Sequence, residues 1–592
     1  MFLLPGRRVS SEMTEMQLGD VVCGGTNLSE DPGTQRKEKK KEINKRGQWD
    51  NKFEFLLSVG GSMIGFDAIF MFPGLCFRYG GAMFLIPYFI FVLILGIPLF
   101  LLETALGQYS GQGTITAWQK MCPMFEGIGY SSLVSIIYLN IYNIMFIAWL
   151  IFYLCNSFVS VMPWADCNNE WNTENCTNND SQQWSSSEVE FWANRVLKVS
   201  SGIEKIGTIN WTLALSLLAA WTICYFCIWK GIKTISKVVY VTATFPYVML
   251  IIILIRSVLL PGAADGIKYY LYPQWSSLFY PHVWFEAGRH VIFSFGLALC
   301  SLKAMSSYNH WNNNCYRDCL ALCFLSSGSN FVAGFAVFSI LGFVSHAENV
   351  PIHELEGLMF ITFPKAVSRM PLSQLWWCLF VFMCIFLAFN VQFVSMESLV
   401  TTIVDVFPRI FQKGFCRELF ILAITIVFFL ISLLMVTEGG LYIFYLIQYY
   451  GCNSSCLFFV AIFETIGIAW IYGADRFYDD IANMIGYRPW PLIKWCWCFY
   501  TPSILIACFI YGMITDSRLT IGSYVYPTMA YFWGWLLKVS SLICIPLWIM
   551  INIGSTSGSL IQVSYLIYWK KASSKLCQWC TNVTSTVKAL SR

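Results

Sequence analysis

Apolar runs that are long enough to cross a lipid bilayer recur through most of this chain. A membrane-spanning helix needs about 20 consecutive apolar residues, and the chain contains about twelve runs of that length. Of its 592 residues, 57% are hydrophobic and only 12% are charged, whereas a soluble domain carries about 25% charged residues. The sequence therefore predicts an all-α polytopic membrane protein. The runs lie near residues 54–78, 82–108, 125–157, 210–231, 236–260, 283–310, 319–347, 372–406, 416–438, 442–474, 495–515 and 528–556.

Both polar ends of the chain are expected on the cytoplasmic side. An even number of spans returns the chain to the side from which it started, and segments rich in lysine and arginine beside a span stay in the cytoplasm. The segment before the first run reads RKEKKKEINKR, and the tail after the last run also carries several lysines. We therefore predict a cytoplasmic tail over 1–46, a membrane domain over 47–556 and a second cytoplasmic tail over 557–592.

The longest polar insert, 163–208, follows the third run and is therefore expected outside the cell. It contains Cys167 and Cys176, and the oxidising exterior favours a disulfide between two cysteines in so short a loop. It also contains the sequons that begin at Asn175 and Asn179. On the outer side these sequons predict N-glycosylation.

The first apolar run is interrupted at its centre. The stretch from Ser58 to Gly81 reads SVGGSMIGFDAIFMFPGLCFRYGG, and both glycine and proline weaken a helix. Asp67 lies near the middle, where a carboxylate is costly in lipid and usually marks a binding or ion site. Non-helical backbone at membrane depth is tolerated only where it lines a cavity or is buried in protein. The first span is therefore predicted to be a broken helix whose centre faces a site.

The sixth run is interrupted in the corresponding place, five spans later. From Phe293 it reads FSFGLALCSLKAMSSYNHWNNN, in which Gly296 and several serines break the apolar pattern. Two broken spans in corresponding positions point to the substrate site of a transporter that is built from inverted repeats. We therefore expect two inverted five-helix repeats with broken first and sixth helices, plus two further helices.

Several longer motifs resemble those of the neurotransmitter:sodium symporters, and within them the GABA, betaine, taurine and creatine transporters. These motifs are GGAMFLIPYFIF and GIPLFLLETALGQY in the second span, NNNCYRDCLALCFL after the sixth, FVAGFAVFSILGF in the seventh and MIGYRPWPLIK before the eleventh. The resemblance covers residues 46–556. It implies a plasma-membrane transporter that takes up a small amino-acid-like or osmolyte solute by alternating access. It also implies sodium and chloride as coupling ions, with no other cofactor and no enzymatic activity.

At the centre of this resemblance, the residues depart from the family pattern. The family's GLGNVWRFPY reads GFDAIFMFPG here, so that the sodium-coordinating asparagine is replaced by Ala68. The family's LDSQF in the eighth span reads FNVQF, which puts Asn390 and Val391 at the places of two sodium ligands. The tyrosine of the third span that contacts the substrate carboxylate is replaced by Asn143. By position, the substrate site is lined by Gly65, Asp67, Asn143, Phe293, Gly296 and Val391, and the degraded sodium sites by Gly61, Met63, Ile64, Ala68, Ser294, Ser326, Asn390 and Val391.

The resemblance implies a better preserved chloride site and two gates of different character. In the extracellular gate, Met71 and Gln448 replace the family's ion pair. The loss of both charges together is physically reasonable, because removing one alone would leave the other buried charge unpaired, at a cost of about 3–5 kcal/mol. By position, the chloride site comprises Tyr109, His290, Ser294, Ser326 and Asn330, and the preserved intracellular gate comprises Arg46, Trp49, Tyr308 and Asp405.

The role of Asp67 stays open between several alternatives. It can bind a cation in place of the ligand lost at Ala68, or bind a substrate amine. It can instead form an internal ion pair with Arg289 or His290, or remain a protonated acid, which would allow proton coupling. His290 is either a hydrogen-bonded spacer or a proton-sensitive group, and Lys303 is expected to pair or to reach towards the interface.

Two functions follow from these observations. The first is secondary transport of a small solute with altered sodium and substrate sites, which the preserved intracellular gate favours. The second is a non-transporting membrane relative that acts as a partner or regulatory protein, which the lost ligands favour. The expected partners are a small solute and membrane lipid. The sequence indicates no nucleic-acid partner, and it does not determine the oligomeric state.

Overall fold

Membrane-spanning helices make up most of the protein. The computed structural model describes residues 47–65, 70–159, 162–174, 176–177, 185–354, 363–411, 415–516, 518–522 and 524–555, which belong to one compact unit that begins at Gly47. Within these ranges, nine helices are long and apolar enough to cross a membrane, and a bent pair near the carboxyl end makes a tenth. The predicted all-α polytopic fold is therefore confirmed. The helices are Gly81–Ser110, Pro123–Asn156, Trp211–Ile228, Ile232–Val258, Cys315–Ala347, Ser373–Val406, Cys416–Val436, Gly440–Ile485, Pro491–Ile514, and the pair Thr528–Leu542 and Cys544–Ser555.

The remaining two spans, the first and the sixth, are each divided into two short helices. The first span consists of Lys52–Met63 and Phe72–Arg78, and the sixth consists of Pro281–Ser294 and Cys300–Ser306. These halves are too short to count individually as spans. The breaks lie where the sequence places glycines and serines inside apolar runs.

The break in the sixth span is fixed by hydrogen bonds from neighbouring spans. Gly296 and Ala298 both have a φ of 62°, a left-handed conformation that glycine adopts freely and alanine rarely. The Ala298 N–H donates to Glu103 Oε1 at 2.6 Å, and the Ala298 carbonyl accepts from Ser132 Oγ at 2.9 Å. The second and third spans therefore hold the unwound segment in place.

Short elements connect the spans on both sides. Two pairs of very short strands occur among the described residues: Cys176–Thr177 pairs in parallel with Ser185–Ser186, and Thr520–Ile521 pairs antiparallel with Tyr524–Val525. The other connecting helices and turns are Thr114–Met121, Ser187–Glu190, Phe191–Leu197, Ala263–Leu271, Trp275–Phe279, Ile352–Glu354, Phe363–Ser368 and Pro408–Phe411.

The broken spans pack closely against their neighbours. The third and eighth spans lie along each other for much of their length. Gly107 in the second span sits against the sixth, where a β-carbon would clash with Ser306 Oγ and with the backbone carbonyl of Lys303. Gly65 is similarly close to Val391, whose methyl carbon would lie 2.9 Å from an added β-carbon. Glycine at these two contacts allows the neighbouring spans to approach each other closely.

Candidate transport site

A cavity of about 850 Å³ extends from the outer loops to the broken centre of the sixth span. Its outer part is lined by His282 and Asp516 among others. Five of the six residues assigned by position to the substrate site line this same cavity. The sixth, Asp67, and the sodium-site position Ala68 lie outside the described residues. The five are Gly65, Asn143, Phe293, Gly296 and Val391.

Asn143 is hydrogen-bonded to the eighth span. Its Nδ2 donates to Gln392 Oε1 at 2.9 Å and to the Ala388 carbonyl at 3.3 Å. Gln392 Nε2 in turn donates to Asn140 Oδ1 at 3.1 Å, which also accepts from Ser395 Oγ at 2.7 Å. A chain of amides therefore joins the third and eighth spans beside the cavity.

The second sodium position offers no free side-chain oxygen. Asn390 Oδ1 accepts from Thr242 Oγ1 at 2.6 Å, and Asn390 Nδ2 donates to the Thr242 carbonyl at 2.8 Å. Both polar atoms of Asn390 therefore bind the fifth span. The Asn390 amide also packs against Gly61, where an added β-carbon would lie 3.1 Å from Nδ2. Val391 contributes only methyl groups, so the side chains at this position do not fit a sodium ion.

Neutral polar side chains cluster at the positions assigned to chloride. Asn330 Nδ2 lies 3.1 Å from Tyr88 Oη and 3.4 Å from His290 Nε2, and the Tyr88 hydroxyl contacts Ser327 Oγ at 3.2 Å. Ser294 Oγ and Ser326 Oγ are buried and have no hydrogen-bond partner within the described residues. Because buried hydroxyls are normally satisfied, these two groups are available for a further hydrogen-bond partner.

Tyr109 is not part of this cluster, which corrects its assignment to the chloride site. Its ring lies 5.5 Å from that of Trp311, and its hydroxyl is hydrogen-bonded to Asp480 and Tyr472. Tyr88, one of the tyrosines at the other end of the same span, takes the place instead. The sequence carried a signal for Tyr88 in the motif FLIPY, but motif matching alone does not say which tyrosine faces the seventh span.

The extracellular gate lacks its ion pair, and other charged groups lie nearby. Met71 and Gln448 both line the cavity, and the Met71 side chain is 42% exposed. The hydroxyl of Tyr449 donates to Asp516 Oδ1 at 2.7 Å, and Lys538 Nζ donates to Asp516 Oδ2 at 2.6 Å. This anchor between the tenth, eleventh and twelfth spans was not expected from the sequence.

A second pair of charges on the cavity wall lies within the sixth span. Arg289 contacts Glu286 through both Nε, at 2.8 Å, and Nη2, at 2.5 Å. The His290 ring packs against the rings of Phe72 and Tyr88, at 5.5 and 5.8 Å between centroids. The geometry of these neighbours agrees with the interpretation of His290 as a hydrogen-bonded spacer.

The described residues of the predicted intracellular gate contact neighbouring elements. Trp49 Nε1 donates to the Met305 carbonyl at 3.1 Å, and the Trp49 and Tyr308 rings meet edge to face at 6.3 Å. The Tyr308 hydroxyl donates to Glu397 Oε1 at 3.1 Å. Asp405 Oδ2 accepts from the backbone N–H of Gly113 at 2.5 Å. Arg46, the remaining predicted gate residue, lies outside the described residues.

Lys303 forms a buried triad with two glutamates. Its ammonium group contacts Glu464 Oε1 directly and Glu103 Oε2 at 3.3 Å, and all three side chains are completely buried. Lys303 therefore pairs inside the protein and does not reach the interface. Because Glu103 also binds the N–H of Ala298, the triad supports the broken centre of the sixth span.

The extracellular loop contains the expected disulfide, between Cys167 and Cys176. The loop is further held by Glu190, whose carboxylate accepts from the Thr173 backbone N–H at 2.8 Å. The predicted glycosylation sites Asn175 and Asn179 lie outside the described residues.

Together, the broken helices and the cavity between them are typical of a membrane solute carrier. A sequence model of the sodium:neurotransmitter symporter family matches residues 46–556, and the chain therefore belongs to that family. It is a solute symporter, and the alternative of a non-transporting partner protein is not supported.

Similar proteins include transporters of two named solutes. The chain is 53% identical over 537 residues to the human sodium- and chloride-dependent GABA transporter 2, covering 88% of this chain and 89% of that protein. It is 51% identical over 553 residues to the GABA transporter 2 of Rattus norvegicus, and the match covers 91% of this chain and 90% of that protein. It is 46% identical over 540 residues to the bovine sodium- and chloride-dependent taurine transporter, and the match covers 88% of this chain and 87% of that protein.

Proposed function

We propose that this chain carries a small amino-acid-like or osmolyte solute, similar to GABA or taurine, across the plasma membrane. The observation that carries the proposal is the cavity that reaches from the outer loops to the unwound centre of the sixth span. Unwound backbone at membrane depth is tolerated where it lines a cavity, and carriers of this architecture bind small polar solutes at such breaks. Both termini lie in the cytoplasm in this proposal.

Chloride dependence is retained in the proposed mechanism. Ser294 and Ser326 would hold the anion with their orphaned hydroxyl groups, beside the neutral cluster of Tyr88, His290 and Asn330. A buried anion needs hydrogen-bond donors around it, because it has lost its water.

Sodium coupling is changed in the proposed mechanism. The amide of Asn390 is committed to Thr242, and Val391 has no ligand atom beyond its backbone. Sodium requires oxygen ligands, so the proposal assigns no transport step to an ion bound by these side chains. We therefore expect uptake that depends on chloride more steeply than on sodium.

The experiment is uptake of radiolabelled GABA, taurine, betaine and creatine by cells that express the full chain. Sodium and chloride are replaced one at a time by impermeant ions. Uptake of at least one solute above untransfected cells, reduced when chloride is replaced, is the expected result. A lack of uptake of every solute by protein that surface biotinylation detects at the plasma membrane refutes the proposal.

Two sets of variants connect the ion dependence to the site. Ser294→Ala combined with Ser326→Ala is expected to weaken the chloride dependence, whereas Ser329→Ala is a matched control whose hydroxyl binds only its own helix, at the Leu325 carbonyl. Asn390→Asp combined with Val391→Ser restores two ligands and is expected to increase the sodium-dependent part of uptake.

A further inference from the structure

The amide chain beside the cavity has a fixed direction. It starts where Asn140 Nδ2 donates to the Ile136 carbonyl at 2.8 Å, which turns Asn140 Oδ1 towards the eighth span. Asn140 Oδ1 accepts from Gln392 Nε2, and this leaves Gln392 Oε1 facing Asn143. Each amide in the chain can therefore adopt only one of its two flips.

Asn143 is the last amide in this series of hydrogen bonds, and its side-chain oxygen is left without a donor among the described residues. Both hydrogens of Nδ2 are committed, one to Gln392 Oε1 and one to the Ala388 carbonyl. Reversing the amide would place its oxygen against two acceptors. Asn143 Oδ1 accepts no hydrogen bond from any described residue, and the side chain, 7% exposed, lines the cavity.

We propose that Asn143 determines substrate specificity by accepting a hydrogen bond from an ammonium or amine group of the solute. This inference rests on the proposed transport function and specifies which end of the solute faces the third span. An amide oxygen can only accept, so a carboxylate or sulfonate at this place would meet another acceptor. A hydroxyl group, as the family pattern has here, can donate to such an acid group, and Asn143 reverses that preference.

Aromatic rings next to Asn143 favour the same end of the solute. Phe146 lies one helical turn further out on the same face of the third span and lines the cavity. It meets Trp149 at 5.5 Å and Phe444 at 5.3 Å between ring centroids. Ring faces attract cations, so an ammonium group that binds Asn143 Oδ1 has an apolar, cation-compatible wall beside it.

The test compares three probes of equal chain length on the purified, full-length protein. They are 4-aminobutyrate, butylamine and butyrate, and the measurement is the melting temperature as a function of probe concentration. A ligand that binds only the folded state raises this temperature by mass action. We expect stabilisation by 4-aminobutyrate and by butylamine, and none by butyrate.

The outcomes separate the inference from the function on which it rests. Stabilisation by 4-aminobutyrate and butyrate but not by butylamine overturns the inference and leaves the transport proposal intact. No stabilisation by any of the three probes, nor by taurine, betaine or creatine, overturns the transport proposal and the inference together.

Variants of Asn143 test the residue itself. Asn143→Leu removes the acceptor, and because a hydrogen bond to a charged group is strong, we expect butylamine to bind about tenfold more weakly or worse. Asn156→Leu, the same change on the same helix but outside the cavity, is expected to leave binding unchanged. Asn143→Tyr introduces a hydroxyl donor and is expected to bring butyrate binding. Unchanged butylamine affinity in a folded Asn143→Leu protein overturns the inference.

Discussion

Replacement of Lys303 by methionine tests the buried charge triad that supports the sixth span. Methionine keeps the length of the side chain and removes its charge. Lys303 and both of its partners, Glu103 and Glu464, are completely shielded from solvent, so no water can compensate the two carboxylates that remain. Removing one partner of a buried ion pair costs about 3–5 kcal/mol. We therefore expect Lys303→Met to lower the free energy of unfolding by about that amount.

The assay is thermal unfolding of the purified protein in one detergent, at one heating rate, because membrane proteins often unfold irreversibly. Lys494→Met is the matched control, since Lys494 pairs with Asp475 at 2.5 Å but both side chains are exposed, at 37% and 78%. Exposed ion pairs contribute about 0–1 kcal/mol to the free energy of unfolding, so the melting temperature of the control should be close to that of the parent protein.

A double variant identifies the cause of the loss. Adding Glu464→Gln to Lys303→Met removes one of the stranded carboxylates and should recover part of the stability. Equal melting temperatures for Lys303→Met and Lys494→Met would refute the reasoning. So would a double variant that is less stable than Lys303→Met alone.

Three further predictions concern other contacts. Gly107→Ala pushes a β-carbon into the sixth span and is expected to cost about 1–3 kcal/mol, measured by thermal unfolding. Changing Cys167 and Cys176 together to serine removes the disulfide between them, which links residues 9 apart in the sequence. Because the unfolded loop gains conformational entropy, this change should lower the free energy of unfolding by about 2–3 kcal/mol, measured in the same way. Glu438 accepts from Thr208 Oγ1 at 2.7 Å, which lowers the pKa of that carboxyl below its usual 4.5. Its stabilising effect is therefore complete above pH 4.5 and is lost as the pH falls through the lowered pKa, and Glu438→Gln should remove this part of the acid dependence of the melting temperature.

The spans and their breaks could be predicted from the sequence because bilayer thickness sets the length of each apolar run. The breaks were equally visible, because glycines and serines interrupt the first and sixth apolar runs in corresponding places. Both signals are local in the chain. They do not depend on knowing which helix packs against which.

The partners of individual side chains could not be predicted in the same way. Tyr88 and Tyr109 both occur in recognisable motifs of the second span, and only the packing of the seventh span against one end of that helix distinguishes them. Asn390 is a potential oxygen ligand in the sequence. In the structure, both of its polar atoms are hydrogen-bonded to Thr242 of the fifth span, whose hydroxyl donates and whose carbonyl accepts.

The departures from the family pattern are internally consistent. A site that had lost its function by drift would leave buried amides without partners, at a cost of about 1–3 kcal/mol each. Here Asn390 is paired with Thr242, and Asn143 is paired with Gln392 and with a backbone carbonyl. At these two positions, the one amide oxygen that accepts no hydrogen bond from a described residue is Asn143 Oδ1, and the Asn143 side chain lines the cavity. The other polar atoms at these two positions are paired, and the described gate residues Trp49 and Tyr308 are hydrogen-bonded to neighbouring spans. These contacts argue for a carrier whose site is adapted to bind its solute in a different orientation.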